Sequence, residues 1–336
     1  MKMRHALPLL ASSFLLASAG TALAQQPWKP DKPITLIVPW AAGGSTDQVT
    51  RVAAAEVEKA LGQKVVVMNQ PGASGSVGTK NAVEAAKDGY TWTAGAAKDL
   101  GTYKVLGMLD TSIQDWNLYL TVAHVAVVGV NADTPYKTMP ELLAAMKAKP
   151  GAISVATAGV NSSGHSAIEA IARATGVSYK HVTYDGGNPA VVSTLSGETE
   201  VTTQLAAEQT DMIRAKKIRP LAVVSDKPLM IEGYGTVPPL SQFIPGFKDP
   251  INYFGIFVPK GVPAEVTAAL DKVWGSQIAK SEALKKYAQA RGALFAPYHG
   301  EEAQKAVFPA IQAYAWTQQA AGKAKVSPDT VGIPKP

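Results

Sequence analysis

A chain of 336 residues, 46% hydrophobic and 17% charged, is too long for one ordinary core and too evenly mixed for a disordered or fibrous protein. Lys and Arg outnumber Asp and Glu by 32 to 26, a formal +6, yet the cations stand singly along helical patterns (Lys59, Arg173, Lys272), which is not how a nucleic-acid surface is built. Cysteine is absent, so the sequence holds no disulfide framework, no reactive thiol and no lipoprotein attachment site.

Lys2 and Arg4 precede an apolar run from 7 to 19 and the small-residue site Ala22-Leu23-Ala24, which reads as a cleavable signal peptide ending at residue 24. The apolar run is too short to span ~30 Å of hydrocarbon. There is no twin arginine, so general secretion and a soluble periplasmic product of about +4 are expected, Lys2 and Arg4 taking two of the six positive charges.

The run Ile34-Thr35-Leu36-Ile37-Val38 predicts a strand buried on both faces. A turn over 41–47 then feeds a helix with Val49, Val52, Ala53, Val57, Ala60 and Leu61 on one face, stopped by Gly62. Ser45-x-x-Gln48 reads as its capping box, with Asp47 adding negative charge to the first turn. A second unit has a strand at 64–68, a Gly/Ser-rich loop at 69–78, a helix at 79–86 and a strand at 90–94. Residues 117–130 hold strands, one entering a second lobe, and 139–147 a helix. A third unit places a strand at 153–156, a loop at 157–164 and a helix at 166–174. A strand at 179–183, a turn at 184–188 and a helix from Pro189 to 195 follow, then a strand at 217–224. Beyond a Pro-rich segment come a strand at 253–258 and helices at 263–278, 281–291 and 301–320.

Strands alternating with helices predict an α/β fold with parallel-rich sheets flanked by helices. The expected division is a first lobe at 25–127, a second at 128–251 and a return to the first at 252–336. Three of the strand-to-helix turns are rich in Gly, Ala, Ser, Thr and Asn, and ligands of open α/β sheets sit where such turns lie. Each helix start carries about half a positive charge, and three converging turns would give an anion roughly 8 kcal/mol, micromolar affinity. One such turn alone means little, because short turns need glycine for steric reasons.

Other chemistries find little support. There is no G-x-G-x-x-G and no Gly-Lys-Ser/Thr loop, so no nucleotide and no other cofactor is expected. His124, His165, His181 and His299 are scattered, which argues against a metal, and His181 reads as structural. A hydrolase would recruit Ser163, His165 and Asp185, but no Gly-x-Ser-x-Gly elbow is present.

Several blocks carry a resemblance: Pro30 to Ile34, Val38-Pro39-Trp40-Ala41-Ala42-Gly43-Gly44-Ser45-Thr46-Asp47, Leu61-Gly62-Gln63, Asn69 to Gly75, and Asp88-Gly89-Tyr90-Thr91. Pro150-Gly151, Gly164-His165, Tyr184-Asp185-Gly186-Gly187 and Pro259 to Pro263 continue it. Together they resemble the Bug family, the solute receptors of tripartite tricarboxylate transporters, over essentially the whole mature chain. The resemblance implies a two-lobed periplasmic binding protein (a type II-like Venus flytrap) and, in the interlobe cleft, a small organic anion: a carboxylate, with aromatic acids and amino acids among the alternatives. It also implies integral-membrane transporter subunits as partners; the reading is of a monomer that does not bind nucleic acid. Trp40, Ala42, Gly43, Gly44, Ser45, Thr46, Asp47, Gly72, Ala73, Ser74 and Gly75 would hold the ligand from the first lobe. Ala158, Asn161, Ser162, Ser163, His165, Thr183, Tyr184 and Asp185 would close on it from the second. Trp40 stands where Phe or Tyr is usual, Thr183 where Pro is common and Asp185 where Lys or Gln is frequent, and Gly197-Glu198-Thr199-Glu200 lacks the usual Gly-x-Val-Asp. Trp40 and Tyr184 would serve either as a clamp on a planar acid or as core packing. A sensor for a membrane kinase would use the same fold.

Overall fold

A computed structural model describes residues 28–247 and 251–336; the leader read at 1–24 lies outside them. The chain begins with β1 (Ile34–Val38), α1 (Ser45–Leu61), β2 (Val65–Asn69), α2 (Ser76–Glu84), β3 (Thr91–Ala96), α3 (Ala97–Thr102) and β4 (Trp116–His124). Gly62 closes α1 at φ 68°, a left-handed conformation that a side chain would strain. A second series follows: β5 (Val127–Asn131), α4 (Met139–Ala148), β6 (Ser154–Thr157), α5 (Ser163–Thr175), β7 (Lys180–Thr183), α6 (Gly187–Leu195), β8 (Val201–Thr202), α7 (Ala206–Arg214) and β9 (Ile218–Val223). The hairpin β10 (Leu229–Ile231) and β11 (Gly235–Val237) precedes β12 (Asn252–Pro259), α8 (Ala264–Ser276), α9 (Glu282–Arg291), β13 (Ala293–Phe295) and α10 (Gly300–Ala320).

The strands make two main sheets and hence two lobes. The first runs β13-β4-β12-β3-β1-β2, the second β7-β6-β8-β5-β9. Both are mixed rather than parallel-rich. β1 is parallel to β2 and β3, and β6 to β7 and β8, in the halves that carry the strand-to-helix turns. The strands next to the lobe crossings, β4, β5, β9 and β12, pair antiparallel. The chain passes from the first sheet to the second between His124 and Val127, and β12 returns it.

Alternation along the first sheet feeds two cores. Leu36, Val38, Phe254 and Ile256 pack with Val49, Val57, Leu270 and Trp274 on one face. Ile37, Leu120 and Phe257 pack with Leu100, Val307 and Ile311 on the other. Three tryptophans are fully buried there, and each indole N–H has an acceptor: Trp92 at Gly89 O (2.8 Å), Trp116 at Thr111 Oγ1 (2.9 Å), Trp274 at Leu120 O (2.6 Å).

Three local readings are corrected. Ser45 is not the cap of α1: Gly44 is, it has no capping side chain, and Gln48 Nε2 donates to Gly43 O instead. Helix α5 starts three residues early, because the Ser162 hydroxyl accepts from His165 N–H, so Ser163, Gly164 and His165 lie in its first turn and not in a loop. Pro189 is the third residue of α6, not the first.

Candidate functional site

The turns picked out by their composition meet between the lobes. Ala41 N–H donates to Asp185 O (3.0 Å), and Gly43 lies against Asn188. On the other side Gly159 sits so close to Ser74 that a Cβ there would fall 2.3 Å from Ser74 Oγ. Asn161, with 0% exposure, accepts from Thr102 Oγ1 (2.9 Å) through its side chain and from Lys98 Nζ (2.5 Å) through its carbonyl. Tyr314 of α10 donates to Val160 O (2.7 Å). The N-termini of α1, α5, α6 and α7 thereby face one narrow crevice of about 30 Å³, lined by Trp40, Ser45, Asp99, Ser163, Gly187, Glu208 and their neighbours.

That crevice is the size of a single water, because a carboxylate of the protein fills it. Glu208 Oε1 accepts from both Ser45 N–H (3.0 Å) and Ser45 Oγ–H (3.0 Å), reaching from the second lobe to the start of α1. Oε2 accepts from Leu205 N–H (3.2 Å), and from the Gln204 amide (3.0 Å), whose oxygen in turn accepts from Ala158 N–H (2.6 Å). Gly187 makes room: a Cβ there would fall 1.9 Å from Oε1. Burial pushes the Glu208 carboxyl up from its ordinary value, and the Ser45 and Leu205 hydrogen bonds pull it down by less. Asp99, also on the crevice wall, is raised by burial against the pull of Lys98, with which it pairs at 2.9 Å. Past Ser163 and Leu205 the crevice adjoins a second cavity of about 890 Å³, walled by α5, α10 and the segments that cross between the lobes.

The residues expected to bind divide accordingly. Trp40, Gly44, Ser45, Thr46, Ala158, Ser162 and Ser163 line the crevice. Ala42 and Gly43 lie at its exposed rim. Asp47 serves the loop itself, accepting from Gly43 N–H (3.0 Å), Arg51 Nε (3.0 Å) and Asn69 Nδ2 (2.9 Å). Burial works against its charge, but those donors win and hold its pKa low. Gly72, Ala73, Ser74 and Gly75 all have positive φ (137°, 44°, 55° and 85°), two of them without the freedom of glycine. This strained bend presses Gly75 against Trp40 and Ser74 against the second lobe, with Tyr103 donating to Ser74 O (3.1 Å).

Four expected residues face elsewhere. The His165 ring bonds Val160 O through Nδ1 (2.5 Å) and stacks on His181 at 4.4 Å, and burial lowers its pKa to about 4. Thr183 and Asp185 are exposed, Asp185 contributing only its carbonyl. Tyr184 turns toward Ser193 and Glu198 of its own lobe, so it and Trp40 form no aromatic clamp. Ser163 Oγ accepts from Asn252 Nδ2 (2.7 Å) and has no bond to His165, so no hydrolytic relay exists among Ser163, His165 and Asp185. The described residues contain no metal-binding cluster of His, Asp or Glu, and no helix long and apolar enough to cross a membrane. Glu208, Gln204, Gly187 and Asp99 are not among the residues the sequence reading expects to bind, and of these only Gly187 is named in it at all, within the turn at 184–188. The capping pattern that would have revealed Glu208 is hidden, because the residue three before it is Leu205.

Known proteins resemble this chain in sequence and in overall fold. A protein encoded in the tcbD–tcbE intergenic region of Pseudomonas sp. (strain P51) is 31% identical over 265 residues, 77% of this chain and 78% of its own. BugT of Bordetella pertussis is 29% identical over 271 residues, 79% and 82% of the two chains. The structure of the periplasmic binding protein BugD superposes with a TM-score of 0.80 at 26% identity, covering 88% of this chain and 99% of that one. Residues 49–318 match the receptor family of the tripartite tricarboxylate transporters, TctC, and with a two-lobed binding-protein fold and helix starts gathered in the cleft, the chain belongs to that family.

Proposed function

We propose that this chain is a periplasmic receptor and not an enzyme: its lobes hinge together on a small organic acid, which it delivers to integral-membrane transport subunits. One observation carries the reading. A carboxylate already sits at the meeting of four helix starts, held by Ser45 N–H, Ser45 Oγ–H and Leu205 N–H, and it belongs to Glu208. A site that binds one carboxylate by preorganised amides and a hydroxyl is built to bind another.

Trp40, Gly44, Ser45 and Thr46 would hold the acid from the first lobe, and Ala158, Ser162 and Ser163 from the second. The lobes are taken as 25–127 with 252–336, and 128–251; the strand membership supports crossings near residues 125 and 251. Residues 1–24 would direct export. Closure around the acid is a hinge motion driven by the ligand's greater affinity for the closed form.

A thermal-shift screen of the purified protein against mono-, di- and tricarboxylates and aromatic acids tests this. An acid at 100 times its Kd is expected to add about 2.7 kcal/mol. A broad panel without any shift, from a preparation that releases no small molecule on denaturation, removes the reading.

A further inference from the structure

We infer that the cavity of about 890 Å³ beside the crevice is a second ligand site, and that it takes an uncharged amphiphile: an apolar body with one hydroxyl or amide head. Its occupant is independent of the acid in the crevice. Only Ser163 and Leu205 are common to the two linings. The volume lies in the range, roughly 300–1,000 Å³, of pockets that hold a small organic molecule.

The wall suits an apolar body. Ala170 of α5 and Val224 after β9 line it from the second lobe, and Ala293 of β13 and Ala313 of α10 from the first. Three of the large apolar side chains that the described surface leaves exposed, Met230, Ile251 and Leu294, all line this one cavity. Scattered singly, such residues are ordinary; gathered around one concavity, they mark a binding site.

The head follows from the polar atoms of the same wall, which includes His124 and Asn252. Both ring nitrogens of His124 and Oδ1 of Asn252 are buried and meet no donor or acceptor among the described residues, whereas Asn252 Nδ2 donates to Ser163. Buried polar atoms are nearly always paired. A neutral imidazole presents one donor and one acceptor, and a hydroxyl or amide answers both. Burial lowers the His124 pKa to about 3, so the ring offers an anion no countercharge. Lys98 is already engaged by Asp99 (2.9 Å) and the Asn161 carbonyl (2.5 Å). The other lining charges cancel, Arg173 and Lys227 against Asp226 and Glu232. An ionised head would lose its hydration here without compensation.

Fluorescence titration of the purified protein with N-phenyl-1-naphthylamine, an uncharged aromatic amine that brightens in apolar surroundings, tests the site. Saturable, micromolar binding is expected, with displacement by octanol and octanamide at concentrations at least about tenfold lower than by octanoate or octylammonium. Ala170→Trp and Ala313→Phe fill the cavity from opposite lobes, and each should weaken the probe at least about tenfold; if one does not fold, the other decides. His124→Phe should cut the preference for octanamide over octanoate below about threefold. Absence of saturable binding, a Kd that no folded filling variant moves, or octanoate displacing the probe as well as octanol does overturns the inference, and none of these results bears on acid capture at the crevice. A preference unchanged in His124→Phe overturns it too, since the head would then be read elsewhere.

Discussion

Helices α1 and α5 open the cleft from opposite lobes, and each must satisfy the amide groups of its first turn. At α5 the solution is local. Ser162 Oγ accepts from His165 N–H (3.2 Å) and donates to Gly159 O (2.8 Å), so the turn is complete within seven residues. At α1 the cap is Gly44, which has no side chain to offer, and Ser45 N–H goes to Glu208, 163 residues away. The amide cap of α5 is in place whether the lobes are together or apart, although Ser163 Oγ beside it also accepts from Asn252 of the first lobe. The start of α1 is complete only when they meet, so part of its stabilisation belongs to closure. A receptor needs one rigid wall and one whose bonds depend on the other lobe, and this asymmetry supplies both.

Acid should separate the two starts most strongly. Burial lowers the pKa of His165, in the first turn of α5, to about 4, and that of His124, at the end of β4, to about 3. Both are held neutral in the folded protein, so their contribution is present above the ordinary value of 6.5 and is lost as pH falls through that value toward 4 and 3. Each should remove about 1.4 kcal/mol per pH unit in that window. Glu208 has the opposite sign: its raised carboxyl contributes most below 4.5 and loses that contribution as pH rises through its folded value. Urea unfolding between pH 7 and 4.5 should show stability falling with acid, and His165→Asn should flatten the slope by about one proton. A slope unchanged in the variant would show that the ring is not held neutral.

Next in size is the loss of the borrowed cap. Gly187→Val would drive a Cβ into the space of Glu208 Oε1, where the separation would be 1.9 Å. Displacing Glu208 should cost about 2 kcal/mol and part the lobes. A larger radius of gyration in small-angle scattering is the expected sign, and an unchanged one would mean that other interlobe contacts suffice to hold the lobes together.

The same asymmetry explains what the sequence discloses. β1, α1, α5, α8 and α9 announce themselves through a local apolar period bounded by Pro, Gly or Ser, although the caps of α1 and α5 are not the residues that this pattern points to. The gathering of small residues in the cleft turns is likewise local. Helix α7 is silent, since its buried face is Ala206, Ala207, Gln209, Thr210 and Ile213, with one large apolar residue. Its capping glutamate follows Leu205 where a Ser or Thr would have signalled it. No local pattern encodes a bond between residues 45 and 208. Tyr184 shows a different limit: the turn it belongs to is readable, but whether its ring points into the cleft or back onto α6 is settled by packing against Ser193 and Glu198.

The smallest effects distinguish the two starts most cleanly. Ser162→Ala removes a local cap and should lower stability by about 1 kcal/mol, with no change in the lobe-to-lobe distance. Ser45→Ala leaves the backbone N–H and removes one of the two donors that the first lobe gives Glu208. A hydroxyl bonded to a carboxylate is also worth about 1 kcal/mol or slightly more, but here it is present only while the lobes touch. Its loss should therefore appear as a shift toward the open form in small-angle scattering, with a smaller change in melting temperature than Ser162→Ala produces. If Ser45→Ala instead melts as early as Ser162→Ala and leaves the scattering profile unmoved, the bond across the lobes is ordinary fold stabilisation, and α1 and α5 differ only in where their caps come from.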